Sequence, residues 1–147
     1  MIRQIFEWLT APESWTGPGG IATRLGEHLF YSGIVLLITC VIAIPVGLYV
    51  GHTGRARWAI TLSNAARAVP TLGLLFAVTL WVGPLIRSQL AFVIPSVIVL
   101  VLLALPPVLS GAYAGVEAVD PAARDAAKGI GMRPMQVLTR VEIPCAM

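Results

Sequence analysis

The chain has 147 residues, of which 57% are hydrophobic and only 12% are charged, and its mean hydropathy is +0.85. Soluble domains carry about a quarter charged residues, so this composition indicates a membrane protein and argues against a soluble globular domain. The formal net charge of +3 is small and the cations are scattered. A nucleic-acid-binding protein would concentrate them on one face, and that class is therefore excluded.

Residues 1–27 are expected to form an N-terminal leader. Several apolar residues in this part would share one face of a helix, as in a helix that lies at a membrane interface; they are Ile2, Ile5, Phe6 and Leu9. A loosely ordered leader is an equally open interpretation of the same residues. The leader is followed by a transmembrane domain expected over residues 28–147.

Three runs with little or no charge predict membrane spans at about residues 29–51, 68–86 and 89–112. A helix needs about 20 apolar residues, each adding about 1.5 Å, to cross a hydrocarbon layer of about 30 Å. Buried helices of a soluble protein would need polar faces elsewhere to cover them, and the chain has too few polar residues for that. The sequence therefore predicts an all-α, polytopic transmembrane protein of about three spans.

Arginine and lysine residues orient these spans, because loops on the cytoplasmic side are enriched in them. Two cations follow the first run, Arg55 and Arg57, and four follow the third, Arg124, Lys128, Arg133 and Arg140. This pattern predicts that the N-terminus and Arg87 lie outside the cell. Residues 51–58 and the residues after about 116 are then cytoplasmic.

The second run carries polar residues beside a proline, in the stretch "LSNAARAVPTLGLL". A proline inside a membrane helix frees a backbone carbonyl, and such breaks occur against protein or a water-lined cavity. Broken helices often line transport paths. The candidate residues for a translocation path are therefore Asn64, Arg67, Pro70 and Thr71. The alternative is that Arg67 marks the cytoplasmic end of the span and Pro70 opens its first turn.

A short, sharply bounded helix is predicted inside a loop at residues 117–144, which we call the coupling loop. Asp120 before Pro121 is a typical helix start, and Gly131 is a typical stop. At 100° per residue, one arc of this helix is small and apolar: Ala122, Ala126, Ile130, Ala123 and Ala127. The opposite arc is charged: Arg124, Lys128 and Asp125. The small arc favours docking into a groove of another protein, although a helix lying on the chain's own loops would show the same pattern.

The stretch "DAAKGIGMRPMQVLTRVEIP" resembles the signature cytoplasmic loop of ABC importer permeases, which are inner-membrane proteins of binding-protein-dependent transport. That signature has Glu-Ala-Ala, three residues, Gly, nine residues, an aliphatic residue, one residue, Leu and Pro. The positions that match it, with Asp in place of Glu and Ile in place of Leu, are Asp125, Ala126, Ala127, Gly131, Val141, Ile143 and Pro144. The resemblance implies that these residues couple the permease to a separate cytoplasmic ATPase.

Two further stretches are similar to permeases for glycine betaine, choline and related osmoprotectants: "HLFYSGIVLLITCVIAIPVGLYVGHTGR" and "RAVPTLGLL". The resemblance implies a permease subunit in the bacterial cytoplasmic membrane that moves such a quaternary amine. Its expected partners are the ATPase, an extracytoplasmic solute-binding protein, a second permease copy and membrane lipid, with no nucleic acid. The alternative is a truncated membrane interaction protein that binds a cytoplasmic partner without transport.

No catalytic function is expected from this sequence. The chain's only lysine, Lys128, lies between Ala127 and Gly129 and cannot complete a phosphate-binding loop of the Gly-Lys-Ser/Thr type. His28 and His52 are predicted near opposite membrane faces, so neither forms a catalytic pair, and neither a metal site nor a cofactor is expected. The resemblance covers residues 28–144, whereas members of the family continue into further spans, so the chain is expected to be C-terminally truncated.

Overall fold

The structure is a computed structural model that describes residues 1–86 and 89–146. Over these residues the chain is helical, which confirms the all-α prediction, while the connection predicted at Arg87 lies outside them. The α-helices are α1 (Ile2–Thr10), α2 (Pro12–Trp15), α3 (Ile21–Thr53), α4 (Arg57–Ala65), α5 (Thr71–Val82), α6 (Val93–Glu117), α7 (Pro121–Gly129), α8 (Pro134–Val137) and α9 (Ile143–Ala146). Short 3₁₀ segments follow α4, follow α5 and precede α6, and a π-helical segment (Leu138–Glu142) joins α8 to α9.

Helices α3 and α6 are each long and apolar enough to cross a membrane. Only 28% of the most apolar 18-residue window of each is buried within the chain, so most of their surface faces outward, as expected in lipid. The first predicted run, 29–51, lies within α3, and α6 starts later and ends later than the third run, 89–112. The domain boundary expected between residues 27 and 28 falls inside α3. This helix begins at Ile21, before the apolar run, and its first turns are charged: Arg24 and Glu27 form an ion pair at 3.0 Å.

Small residues form the seam along which α3 packs against α6. A Cβ atom added at Gly47 would lie 2.7 Å from Ala112 Cβ and 2.8 Å from the Leu109 carbonyl oxygen. A Cβ at Gly51 would lie 2.8 Å from Val116 Cβ. Glycines four residues apart let two membrane helices approach closely, because glycine places no side chain between the two backbones. Because residue numbers rise together along the seam, α3 and α6 run parallel.

The second span is broken in the structure. Helices α4 and α5, with their 3₁₀ extensions, meet at a bend of 95° and qualify together as one further candidate span. The pair follows α6 from end to end: Arg57 Nη2 lies 3.3 Å from Glu117 Oε1, Ser110 Oγ donates to Asn64 at 3.2 Å, and α5 packs beyond them. Pro70 is the N-cap of α5, so the structure is compatible with both interpretations, a proline break within one span and a span that begins at Pro70. The apolar run predicted at 68–86 is therefore only part of the segment along α6.

Candidate functional site

Helix α7 starts as the sequence predicts. Asp120 is the N-cap, and its carboxylate accepts a hydrogen bond of 2.8 Å from the backbone N–H of Ala122. Pro121 occupies the first helical position, where its missing N–H costs nothing. These two local interactions fix where the helix begins and the direction in which it leaves α6.

The C-terminus of α7 is closed by a left-handed glycine. Gly131 has φ +84°, as expected from its place in the sequence. Its N–H donates to the Lys128 carbonyl at 2.9 Å, and the Met132 N–H donates to the Ala127 carbonyl at 3.1 Å. This pair of bonds is the Schellman motif, which satisfies carbonyls that the helix leaves open. Both ends of α7 are therefore capped, and the helix is a rigid unit despite its nine residues.

The faces of α7 differ from the predicted ones. The exposed residues are Pro121, Ala122, Asp125, Ala126, Lys128, Gly129 and Ile130. Five of them lie within an arc of about 140° at 100° per residue, which we call the outer arc: Ala122, Asp125, Ala126, Gly129 and Ile130. Ala127, predicted to lie in the docking face, is only 5% exposed and packs against the chain itself. Arg124, predicted to lie on the charged arc opposite to the small residues, has a side chain only 22% exposed. The outer arc is thus centred about 60° from the predicted one, at 100° per residue.

Arg124 turns inward because a buried carboxylate lies beneath α7. Glu142, in the π-helical segment, has a side chain only 3% exposed, and its Oε1 lies 3.0 Å from Arg124 Nε. Its other oxygen, Oε2, lies 2.6 Å from Nδ1 of His52 at the end of α3. Arg124 also donates from Nη2 to the carbonyl of Val116 in α6. We call Arg124, Glu142 and His52 the ionic triad.

The triad joins three elements of the chain: α3, α7 and the π-helical segment. His52 and Glu142 are 90 residues apart. An ionised carboxylate only accepts hydrogen bonds, so we assign the proton of this contact to His52 Nδ1. The Arg124–Glu142 contact is an ion pair without a well-directed hydrogen bond at Nε. A buried charge is costly unless it is paired, and Glu142 has a partner on each oxygen.

The second half of the signature lies against the ends of α3 and α6. Ile143 and Ala146 border a cavity shared with Ile44 and Leu48 of α3 and with Gly115 and its neighbours in α6. Val141 is half-buried, and Pro144 is exposed in α9. The signature residues therefore divide between α7 and this packed return segment. Their role in ATPase coupling stays a prediction.

The four candidates for a translocation path lie along the broken second span. Asn64 accepts the hydrogen bond from Ser110 of α6, and Thr71 borders a cavity between α5 and α6. Arg67 and Pro70 are exposed at the bend. The structure brings Asn64 and Thr71 to α6 at different depths but does not gather the four around one cavity, and their role in transport stays a prediction.

Sequence reasoning missed two features of this region. "GLYVG", residues 47–51, is a Gly-x-x-x-Gly pattern inside an apolar run, and this known signal of close helix packing could have predicted the α3–α6 seam. The ionic triad left no comparable signal. Glu142 occupies the unspecified position of the signature, and nothing local connects it to His52.

A family model supplies the class of protein. Residues 43–147 match the binding-protein-dependent transport system inner membrane component, and the match covers more than half of the chain. The chain belongs to this family of transport permeases. The family resemblance that the coupling loop indicated is thereby confirmed.

Curated relatives narrow the comparison. The chain is 31% identical over 122 residues to the carnitine transport permease protein OpuCD of Listeria monocytogenes, covering 82% of this chain and 52% of that protein. It is 26% identical over 128 residues to the choline transport system permease protein OpuBD of Bacillus subtilis, with coverages of 86% and 54%. It is 27% identical over 135 residues to the glycine betaine/carnitine/choline transport system permease protein OpuCB of Bacillus subtilis, with coverages of 90% and 58%.

The chain spans about half the length of the curated relatives that it matches. No solved structure matches it significantly. Family membership and a multi-pass membrane protein are therefore established, whereas substrate, partners and orientation are inferred from the geometry and the relatives together.

Proposed function

We propose that this chain is part of the permease of an ABC importer that moves a quaternary-amine osmoprotectant, such as glycine betaine, choline or carnitine, across the bacterial cytoplasmic membrane. The substrate class is carried over from the printed names of the relatives, which are carnitine, choline and glycine betaine permeases. The family description supports the two partner classes, a separate ATPase and an extracytoplasmic solute-binding protein.

The observation that carries the proposal is helix α7. It is capped at both ends, it lies where α3 and α6 end together, and it presents an outer arc of mostly small residues. Ile130 projects from this arc with 76% of its surface exposed. A small-residue surface with one aliphatic knob fits a shallow groove on a partner, and rigidity limits the entropy lost on docking. We infer that the ATPase binds the outer arc. Of the signature residues in α7, Asp125 and Ala126 would contact the ATPase directly, whereas Ala127 would support the helix by packing against the chain itself.

The same proposal places α7 in the cytoplasm, with the N-terminus outside. The reason is the arginine and lysine asymmetry, with Arg55 and Arg57 after α3 and four cations after α6. In a chain with Cys40 and Cys145 replaced by serine, Arg55→Cys is expected to react with a membrane-impermeant maleimide only from the cytoplasmic side. Gly17→Cys is expected to react only from outside. Reaction of both from one side would contradict this orientation.

Transport is tested by the response of a partner ATPase. The chain, continued after Pro144 with the sequence of a related osmoprotectant permease, is reconstituted in lipid with an osmoprotectant-importer ATPase and its solute-binding protein, and ATP hydrolysis is measured with glycine betaine or glutamine. We expect the ATPase to bind and its hydrolysis to rise only with binding protein and glycine betaine together. Binding without any such rise would favour the alternative, a membrane interaction protein that does not move solute. Absence of binding would contradict both interpretations.

A further inference from the structure

The ionic triad occupies the place where motion of α7 would have to pass to the membrane spans. Its three side chains come from α7, from the π-helical segment and from the end of α3. The guanidinium of Arg124 also reaches the Val116 carbonyl in α6. Val116 is itself fully buried against Gly51 of α3, in the glycine seam. The triad therefore meets both parallel spans at the Gly51–Val116 contact of the glycine seam.

The arrangement of charges makes it costly to break one of the two Glu142 contacts while the other stays intact. Glu142 is almost fully buried, and each of its oxygens has one partner, on opposite sides of the carboxylate. Moving α7 away from α3 would leave either His52 or Arg124 without its carboxylate in a poorly solvated site, which is costly. Moving α7, the π-helical segment and the end of α3 together keeps the contacts of the triad. Local electrostatics thus favour a joint displacement over an independent one.

The exposed ion pair nearby lacks these properties. Arg57 and Glu117 also connect two elements, but their side chains are 65% and 49% exposed. Water can replace either partner there, so such a pair contributes little and constrains little. This contrast separates a linking role of the triad from the general presence of charges at the ends of the spans.

We propose that Arg124, Glu142 and His52 are positioning residues that fasten α7 to the end of α3, so that a displacement of α7 by the ATPase moves the α3–α6 pair. This inference rests on the proposed function for the source of the displacement. The fastening itself is a property of the chain alone. Coupling of this kind requires that contacts be kept or lost together in two states.

The fastening is tested first in the chain alone, in lipid nanodiscs, with Cys40 and Cys145 replaced by serine. Spin labels are attached at Arg55→Cys, just after α3, and at Lys128→Cys, on the exposed side of α7. Both native residues are exposed. We expect a single narrow distance distribution, which Glu142→Gln broadens and which the matched control Glu117→Gln leaves unchanged. A distribution that Glu142→Gln leaves as narrow as before would overturn the fastening.

A second pair of variants tests the chemistry of the contact with less disturbance of the fold. His52→Leu leaves Glu142 paired with Arg124, whereas His52→Asn keeps an N–H donor close to the position of Nδ1. We expect the distribution to broaden with His52→Leu and to remain narrow with His52→Asn. A purely space-filling role of His52 would give the opposite order, since leucine fills the site better, and that order would also overturn the proposal.

The functional arm then asks whether fastening matters for coupling. With ATPase and solute-binding protein present, Glu142→Gln is expected to leave ATPase association unchanged but to reduce the stimulation by glycine betaine about tenfold, within the range of known coupling energies. Full stimulation with a broadened distance distribution would refute the positioning role. If the ATPase does not bind even the unmodified chain, the proposed function fails, while the distance measurements still decide the fastening.

Discussion

Replacing Gly47 by alanine is expected to force α3 and α6 apart. The added Cβ would lie 2.7 Å from Ala112 Cβ, 2.8 Å from the Leu109 carbonyl oxygen and 3.1 Å from the Tyr113 nitrogen. Carbon atoms in good contact are about 3.5–4.0 Å apart, so the shortfall is about 1 Å. Two of the three atoms belong to the α6 backbone and cannot rotate away. The whole seam has to open to accept one methyl group.

The cost is worked out from overpacking, for which forced insertion of a methylene typically costs about 1–3 kcal/mol. Gly33 provides a matched control on the same helix, because a Cβ there meets nothing within 4 Å. Both substitutions change the helix propensity by the same amount, so the difference between them isolates the clash. That difference of about 1–3 kcal/mol corresponds to roughly 5- to 150-fold in the folding equilibrium.

Gly51 supplies an intermediate case. Its added Cβ would meet Val116 Cβ at 2.8 Å and the Tyr113 carbonyl oxygen at 3.2 Å, so side-chain atoms make the closest contacts. We therefore expect stability in the order Gly33→Ala above Gly51→Ala above Gly47→Ala. The measurement is reversible unfolding in mixed micelles with increasing dodecyl sulfate, followed by circular dichroism. Equal unfolding midpoints for Gly47→Ala and Gly33→Ala would refute the reasoning about the seam.

Two further predictions concern the caps of α7. Asp120→Ala removes the hydrogen bond from the Ala122 N–H and should destabilise the start of the helix by about 0.5–2 kcal/mol. The measurement is amide hydrogen exchange in the first turn, which should be faster in Asp120→Ala and unchanged in Asp120→Asn. Equal exchange in the two variants and the unmodified chain would argue against the cap. Gly131→Val places a β-branched residue at φ +84° and should cost about 1–3 kcal/mol, with increased proteolysis between α7 and α8 and loss of ATPase association. Gly129→Ala, which meets nothing within 4 Å, is its control, and similar proteolysis of the two would contradict the strain argument.

Local signals in the sequence predicted the ends of α7 well. Asp120 and Gly131 fix the two ends of the helix through hydrogen bonds to backbone groups only a few positions away. Their roles as N-cap and helix stop could therefore be predicted from the sequence alone. The inward orientation of Arg124 was not predicted, because a helical wheel takes no account of a carboxylate contributed by another segment. The contact between Glu142 and His52 depends on how two segments 90 residues apart in sequence pack, and no local pattern encodes that.

The spans show the same division between local and tertiary causes. Counting uncharged residues predicted three membrane segments, and the structure has two candidate spans, or three if the bent α4–α5 pair is one. The start of α3 was predicted too late, because charged residues such as Arg24 and Glu27 continue the helix beyond the apolar run. The bend at the second span depends on Pro70 together with the packing of α4 and α5 along α6. Proline in the sequence allowed two interpretations, and the bend and the N-cap position of Pro70 are compatible with either one.

Docking of the ATPase on the outer arc of α7 is the central claim, and photo-cross-linking tests it most directly. A benzophenone amino acid is placed at Ile130, which is 76% exposed on the outer arc, or at Trp58, which is 68% exposed near the same ends of the spans. In membranes containing the ATPase, we predict a cross-link to the ATPase from position 130 that Gly131→Val abolishes, and none from position 58. Equal cross-linking from both positions, or none from position 130, would contradict the account.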